Sequence, residues 1–137
     1  MKITICGSMK FAKEMIVVKN FLEGKGFKVF IGPLANRYAN GKIRCRKGKE
    51  GARLKITYDL IRSHFKKIEK SDAILVLNYT KGSVRNYIGG NTLMEMGYAF
   101  YLGKKIYLLN PIPNQSYTEE LIAMQPIILN GNLSKIK

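Results

Sequence analysis

Histidine, cysteine and long apolar runs are all scarce in this sequence, and each scarcity excludes a class of protein. The 137 residues include one histidine and two cysteines, and Cys6 and Cys45 lack the spacing of zinc or redox motifs. We therefore expect no metal site within one chain and no cofactor. Cys6 lies in an apolar stretch and is expected to be a small buried hydrophobe, which suits a reducing cytoplasm. No stretch approaches the roughly 20 apolar residues of a membrane span, so we expect no membrane partner.

Acidic residues are also few, and much of the resulting charge is concentrated in one segment. Nine acidic residues stand against 24 basic ones, a formal charge of +15. The segment 37–55, which we call the basic segment, contains only one acid, Glu50. Its basic residues are Arg37, Lys42, Arg44, Arg46, Lys47, Lys49, Arg53 and Lys55. Gly41, Gly48 and Gly51 are expected to keep the segment from forming a helix, so it is predicted to be a mobile loop. Such a loop attracts phosphate or nucleic acid, although a simple solvated loop explains it equally well.

Strand and helix patterns alternate along the chain, and the N-terminus begins with a strand pattern rather than a signal peptide. The length predicts one domain, residues 1–137. Five strands are predicted, at Lys2–Cys6, Phe27–Ile31, Asp72–Asn78, Lys105–Asn110 and Pro126–Leu129. Helices are predicted over about Phe11–Glu23, Leu54–Lys70 and Thr118–Met124. A further helix, with Glu95 in its first turn, is predicted to end at about Gly103. This alternation predicts an α/β fold with a parallel, doubly wound sheet and helices on both faces.

Ligands of doubly wound sheets bind beyond the carboxyl ends of the strands. The turn Gly7-Ser8-Met9-Lys10 joins a strand to a helix there, and its backbone N–H groups suit a phosphate or a sugar hydroxyl. Gly89-Gly90-Asn91 forms a second permissive turn, and Asn78 ends the third strand. Gly7, Ser8, Lys10, Asn78, Gly89, Gly90 and Asn91 are therefore the candidate substrate-binding residues. The alternative is structural: Asn78 ends its strand and Lys10 is solvated.

Glu95 is a carboxylate among methionines and aromatics in a chain poor in acids. Two interpretations of this position compete. Thr92-Leu-Met-Glu95 fits a capping box, in which both side chains bond backbone donors in the first turn of a helix. Alternatively, Glu95 is an ionised nucleophile or charge stabiliser at the mouth of the sheet.

Several of these motifs together resemble a known family. The residues concerned are Ile5-Cys-Gly-Ser8, Asp72-Ala-Ile-Leu-Val-Leu-Asn78, and Gly90-Asn-Thr-Leu-Met-Glu-Met-Gly-Tyr-Ala99 followed by Gly103-Lys-Lys-Ile. The chain resembles the nucleoside 2-deoxyribosyltransferases and the related deoxynucleoside 5'-monophosphate N-glycosidases. The resemblance implies a flavodoxin-like (Rossmann-like) fold with five parallel strands, a homodimer or higher homo-oligomer, and a glutamate nucleophile, which maps onto Glu95.

The resemblance also points to two departures from the family pattern. His64 stands where the family commonly has an aspartate, and Thr4 stands where some members have a tyrosine that touches the nucleophile. His64 is a candidate catalytic acid for the leaving base, because its ordinary pKa lies near neutrality. It is equally well explained as a helix-surface residue. Tyr87 is a candidate replacement for the missing tyrosine.

The sequence thus predicts an enzyme that cleaves or transfers at the N-glycosidic bond of a deoxynucleoside or its 5'-monophosphate. The basic segment favours the phosphorylated substrate, over which Arg44, Arg46 or Lys47 is expected to close as a lid. One alternative is a non-catalytic nucleotide sensor on the same fold. The other is a basic nucleic-acid-binding module, which lacks aromatic residues interleaved with the basic ones.

Overall fold

The computed structural model describes all 137 residues and places five short strands in one parallel sheet. The strands are β1 (Lys2–Cys6), β2 (Lys28–Phe30), β3 (Ala73–Val76), β4 (Lys105–Leu108) and β5 (Ile127–Ile128). Their order is β2-β1-β3-β4-β5, and every pairing is parallel. This is the flavodoxin-like order, in which the direction of winding changes between β1 and β3. The predicted α/β fold and parallel five-stranded sheet are confirmed.

Six α-helices cover the sheet, and none is both long and apolar enough to cross a membrane. They are α1 (Ala12–Gly24), α2 (Ala35–Ala39), α3 (Gly48–Thr57), α4 (Leu60–Glu69), α5 (Gly90–Tyr101) and α6 (Thr118–Ala123). A 3-10 turn, Met9–Phe11, precedes α1, and Ser8 caps it by accepting a hydrogen bond from the Lys10 backbone. Because the strands are buried on both faces, the helices enclose two separate apolar clusters.

The alternation of side chains along β1 decides which residues face which cluster. Ile3 and Ile5 pack with Met15 and Leu22 of α1 on one face of the sheet. Cys6 points to the other face, where it joins Ile68 of α4 and the α5 residues Met96 and Ala99. The carboxyl end of β1 therefore turns a cysteine, rather than an aliphatic residue, toward α4 and α5.

The basic segment is not the loop that its glycines predict. Arg37 lies in α2, and the second half of the segment forms α3, which begins at Gly48. Gly51 is buried within α3, where a Cβ would lie 2.7 Å from the carbonyl oxygen of Arg46. Gly51 thus permits a close approach of backbone to backbone instead of breaking the helix.

The single helix predicted over Leu54–Lys70 is wrong, because the chain breaks between α3 and α4. Asp59 adopts a left-handed conformation with φ of 48° at the break. Tyr58, the residue before Asp59, is 45% exposed as a result. The separate α4 turns His64 and Ile68 into the interior.

The capping box at Thr92 is also wrong. Helix α5 begins at Gly90 with Gly89 as its N-cap, so Thr92 lies inside the helix and Glu95 falls in its second turn. Phe100 and Tyr101 at the end of α5 are 53% and 83% exposed. Because Glu95 does not cap the helix, a role at the helix end does not explain why it is buried.

Candidate active site

A cavity of about 540 Å³ opens at the carboxyl end of the sheet, beside the point where the strand order reverses. Its walls come from the turn after β1, the loop before α5, α5 itself, α4 and the basic segment. Glu95 and His64 form its deepest polar part, which we call the floor. A volume of this size suits a small-molecule ligand.

Glu95 is almost fully buried and has a fixed carboxylate. Only 4% of the residue is exposed. The Asn91 side-chain amide, one helical turn earlier, donates a hydrogen bond of 2.8 Å to Glu95 Oε1. Burial raises the pKa of Glu95 to about 7, and hydrogen bonds from Cys6 and Asn91 oppose that rise. Near neutral pH the carboxyl group is therefore divided between its charged and neutral forms.

His64 is buried beside Glu95, so the alternative of a helix-surface histidine is wrong. Its Nε2 lies 3.7 Å from Glu95 Oε2. Burial, reinforced by the charge of Lys67, lowers the pKa of His64 to about 4, against a hydrogen bond with the Ile5 backbone. The imidazole is uncharged at neutral pH, and the contact with Glu95 is not an ion pair there.

Cys6 does not line the cavity, but it contacts His64 directly beneath the lining, and we include it in the floor. This position was not predicted from the sequence. Cys6 Sγ lies 3.6 Å from His64 Nε2 and within 4.8 Å of a Glu95 carboxylate oxygen. Burial, followed by the nearby Glu95 charge, raises the pKa of this thiol well above its ordinary value. Cys6 is buried as predicted, but it contacts polar side chains as well as the apolar cluster. The strand alternation that turns Cys6 toward α4 was the available signal.

Thr4, the residue at the family's tyrosine position, does not contact the floor. Its hydroxyl is buried and lies 2.7 Å from the Ser71 hydroxyl, which donates in turn to the Lys67 carbonyl. Thr4 thus fastens β1 to the end of α4, and Cys6, two residues later, is the β1 residue next to Glu95.

The rim of the cavity above the turn after β1 is polar and basic. Ser8, Lys10, Lys81 and Tyr87 all line it. Lys81 Nζ donates to Ser8 Oγ over 3.4 Å and lies 4.8 Å from the centre of the Tyr87 ring. Lys81, in the loop between β3 and α5, was not singled out from the sequence, because a lone lysine in a lysine-rich chain carries no motif.

Two predicted binding glycines have close neighbours around this cavity. Gly7 has φ of 153°, and a Cβ there would lie 3.1 Å from the Leu77 carbonyl oxygen and 3.2 Å from the Met15 side chain. A Cβ on Gly89 would lie 2.9 Å from the Tyr87 hydroxyl. Gly90, the first residue of α5, lines the cavity with its neighbours Gly89 and Asn91.

Asn78 lies at the same edge of the sheet but outside the cavity lining. Its side chain accepts from the Asn110 backbone N–H at 2.9 Å and donates to the carbonyls of Asn110 and Pro111. The Asn110 amide returns a bond to the Asn78 carbonyl. The structure thus assigns Asn78 to a clamp between the ends of β3 and β4.

The basic segment closes one side of the cavity. Arg46, Lys47 and Lys55 line it, whereas Arg44 faces a separate shallow depression beside Lys13. With Lys10 and Lys81, five basic side chains surround a cavity whose one carboxylate is Glu95. The arrangement can bind an anion at the basic rim, with the Glu95 carboxylate beneath it.

Comparison with solved structures confirms the resemblance noted in the sequence at the level of the fold. The chain is similar to the Clostridium botulinum CMP N-glycosidase BcmB, with a TM-score of 0.53 and 18% identity over 95% of this chain and 90% of that one. It is also similar to a 2-deoxyribosyltransferase from Bacillus psychrosaccharolyticus, with a TM-score of 0.49 and 21% identity over 79% of this chain and 71% of that enzyme. The sequence matches no protein-family model and no curated protein. The chain therefore shares the flavodoxin-like fold of the CMP N-glycosidase.

Proposed function

We propose that this protein cleaves the N-glycosidic bond of a deoxynucleoside 5'-monophosphate, with Glu95 as the nucleophile. The observation that carries the proposal is the position of Glu95: a lone buried carboxylate, held by Asn91, at the floor of a cavity with a basic rim. The shared fold with a CMP N-glycosidase supports the same type of bond and a phosphorylated substrate.

The chemistry needs one carboxylate on the face of the sugar opposite the base. The ionised Glu95 attacks the anomeric carbon as the C–N bond breaks, and the bonding electron pair leaves with the base, which takes a proton from water. The products are a covalent glycosyl ester and the neutral free base. Water then hydrolyses the ester and regenerates Glu95, or a second base accepts the sugar in a transfer reaction. Burial strengthens the interaction of the carboxylate with the positive charge that develops on the sugar.

His64 takes a different role from the acid that the resemblance suggested. Its ring is uncharged at neutral pH and contacts the nucleophile rather than the rim. We assign it, with Asn91, the positioning of Glu95. Both side chains lie beside the carboxylate, Asn91 at Oε1 and His64 near Oε2, and so restrict the direction in which it can attack.

The rim is the proposed phosphate site. The Ser8 hydroxyl already accepts from the Lys10 backbone N–H and from Lys81 Nζ, so one backbone donor and one positive charge lie beside it. Arg46 and Lys47 line the opposite wall and supply further charge-assisted bonds. A phosphate held there places the sugar between the rim and Glu95.

A non-catalytic nucleotide sensor is the second candidate, favoured by one observation. The histidine at the floor is neutral and cannot donate as an imidazolium to a leaving base at neutral pH. A sensor would bind the nucleotide at the same rim without breaking it.

The proposal includes a homo-oligomer, which the resemblance implies. The exposed rings of Phe100 and Tyr101 at the end of α5 give such an assembly an apolar surface. Light scattering of the purified protein measures the mass directly. A monomeric mass at micromolar concentration would contradict this part of the proposal.

The decisive experiment is a chromatographic assay for free base. Each deoxynucleoside, its 5'-monophosphate and the matching ribonucleotide are incubated with the protein, with and without a second base. We expect base release from a monophosphate, and a loss of about 10⁴-fold or more in Glu95→Gln. The matched control is Glu119→Gln, which changes an exposed glutamate of α6 and should retain full activity. Nucleotide binding without release by the wild-type protein would establish the sensor instead.

A further inference from the structure

The floor of the cavity contains three different metal-ligating atoms within reach of a single cation. Cys6 Sγ, His64 Nε2 and a carboxylate oxygen of Glu95 all lie within 4.8 Å of one another. The Cys6–His64 separation is 3.6 Å and the His64–Glu95 separation is 3.7 Å. Tetrahedral zinc bonds sulfur at about 2.3 Å and nitrogen or oxygen at about 2.0–2.2 Å, which places neighbouring ligand atoms roughly 3.3–3.6 Å apart. The two measured separations already fit this range, and the third, between Cys6 Sγ and the Glu95 oxygen, is at most 4.8 Å and has to close by no more than about 1.5 Å.

The chemistry of the three atoms selects a thiophilic cation. A thiolate and an imidazole favour zinc over magnesium or calcium, which prefer oxygen ligands. The Cys6 thiolate and the Glu95 carboxylate together neutralise a divalent charge, so the buried complex carries no net charge at the floor. Binding replaces the Cys6 thiol proton, which leaves to solvent.

The surrounding structure holds these ligands in place and leaves one side open. The three residues come from β1, α4 and α5, which are packed elements rather than loops. Asn91 bonds Glu95 Oε1, so that Oε2, the oxygen nearest His64, remains available for a metal. His64 and Glu95 line the cavity, which gives a cation an entry path and a water its fourth position.

We propose that Cys6, His64 and Glu95 bind one zinc-like divalent cation, and that the metal-bound protein is an inactive form of the enzyme. The first part stands on the floor geometry alone. The second part rests on the proposed function, because a carboxylate bound to zinc is not free to attack the sugar.

The binding test uses Co²⁺ as a spectroscopic substitute for Zn²⁺. The protein is used without a histidine tag, because a tag would bind cobalt itself and His64 is the only histidine of the chain. We expect one equivalent of Co²⁺ to produce a thiolate-to-cobalt charge-transfer band and the visible bands of tetrahedral cobalt, and one equivalent of Zn²⁺ to remove both. Cys6→Ser should lose the charge-transfer band and at least about 100-fold in affinity.

Cys45→Ser is the matched control, because Cys45 is the other cysteine, is exposed and also lines the cavity. It should keep the band and the affinity. Loss of the band in Cys45→Ser, or no saturable binding by the wild-type protein, would overturn the site. His64→Ala replaces Cys6→Ser if the serine variant does not fold, and should lose affinity to a similar extent.

The activity arm separates this inference from the proposed function. One equivalent of Zn²⁺ should stop base release and excess chelator should restore it, whereas Mg²⁺ should have no effect. The zinc concentration for half inhibition should rise about 100-fold in Cys6→Ser and stay unchanged in Cys45→Ser. Full activity of zinc-loaded protein would refute the inhibitory role. A protein that binds cobalt but releases no base would refute the proposed function and leave the metal site standing.

Discussion

The floor and the rim of the cavity belong to one site but differ in burial and in charge. Cys6, His64 and Glu95 at the floor are at most 6% exposed. Burial raises the pKa of Cys6 and Glu95 and lowers the pKa of His64, so it favours the neutral form of each group. The rim residues Lys10 and Lys81 are more accessible. Burial thus prepares the floor for bond making, where position matters most, while the rim attracts its ligand through charge.

After the loss of the charge in Glu95→Gln, the next largest effect should come from moving the floor carboxylate without removing it. Glu95→Asp retains the charge but shortens the side chain by one methylene, which withdraws the carboxylate from the sugar by more than about 1 Å. We expect kcat to fall about 100-fold, because a displacement of this size is costly for an oriented attack. KM should change little, since the rim is intact.

Steady-state kinetics of Glu95→Asp beside the wild-type enzyme check this separation. The same Asp exchange at the exposed Glu119 is the control and should leave both constants unchanged. A large rise in KM with an unchanged kcat would mean that Glu95 binds substrate instead of attacking it.

The rim should show the opposite pattern. Lys81→Ala removes the cation that bonds Ser8 and lies over the Tyr87 ring. We expect KM for the monophosphate to rise about 10-fold, within the range of one charge-assisted hydrogen bond discounted for exposure to solvent. The effect should shrink with added salt and be absent for the unphosphorylated nucleoside. Lys66→Ala, an exposed lysine of α4 outside the cavity, is the matched control.

Equal losses in Lys81→Ala for the nucleoside and its monophosphate would place the phosphate elsewhere. Arg46 and Lys47 on the opposite wall would then be the next candidates.

The ionisation of Glu95 should appear in the pH dependence of turnover. Burial raises the pKa of Glu95 to about 7, and only the ionised form attacks. In the presence of a chelator, kcat should therefore rise as the pH increases through about 7 and then level off. Asn91→Ala removes a hydrogen bond that favours the charged form, so the rise should move to higher pH.

At neutral pH the Asn91→Ala variant should lose about fivefold in kcat, and it should recover most of that loss in alkaline buffer. Activity measured in a series of overlapping buffers gives the rise and the plateau of the pH profile of kcat. An Asn91→Ala profile that is lower at every pH but unshifted would show that Asn91 orients the carboxylate without stabilising its charge.

Periodicity predicted the sheet well because parallel strands are read from local apolar runs such as Ala73–Val76. Two rules based on residue type and spacing failed. Gly51 was expected to prevent a helix, but its missing side chain lets α3 approach the Arg46 carbonyl. Thr92 and Glu95 have capping-box spacing, but the helix begins earlier, at Gly90.

The floor was only partly predictable, because its residues come from distant parts of the chain. Glu95 stood out through its apolar surroundings and His64 through its place in the resemblance. Cys6 was assigned to the core because its two polar contacts come from helices 58 and 89 positions further along the chain. Lys81 joins Ser8 across 73 residues. Convergence over such distances leaves no local pattern in the sequence.

Asn78 provides the smallest expected change in catalysis and separates the edge of the sheet from the cavity. It is fully buried, and its side chain satisfies the Asn110 N–H and bonds two carbonyls. Asn78→Ala leaves these groups unpaired and should lower the free energy of unfolding by about 1–3 kcal/mol. Denaturant unfolding measures that loss, while kcat and KM per folded molecule should stay near the wild-type values. Asn36→Ala, on an exposed position of α2, should change neither. A stable Asn78→Ala protein with a raised KM would instead show that Asn78 contacts the substrate and belongs to the cavity.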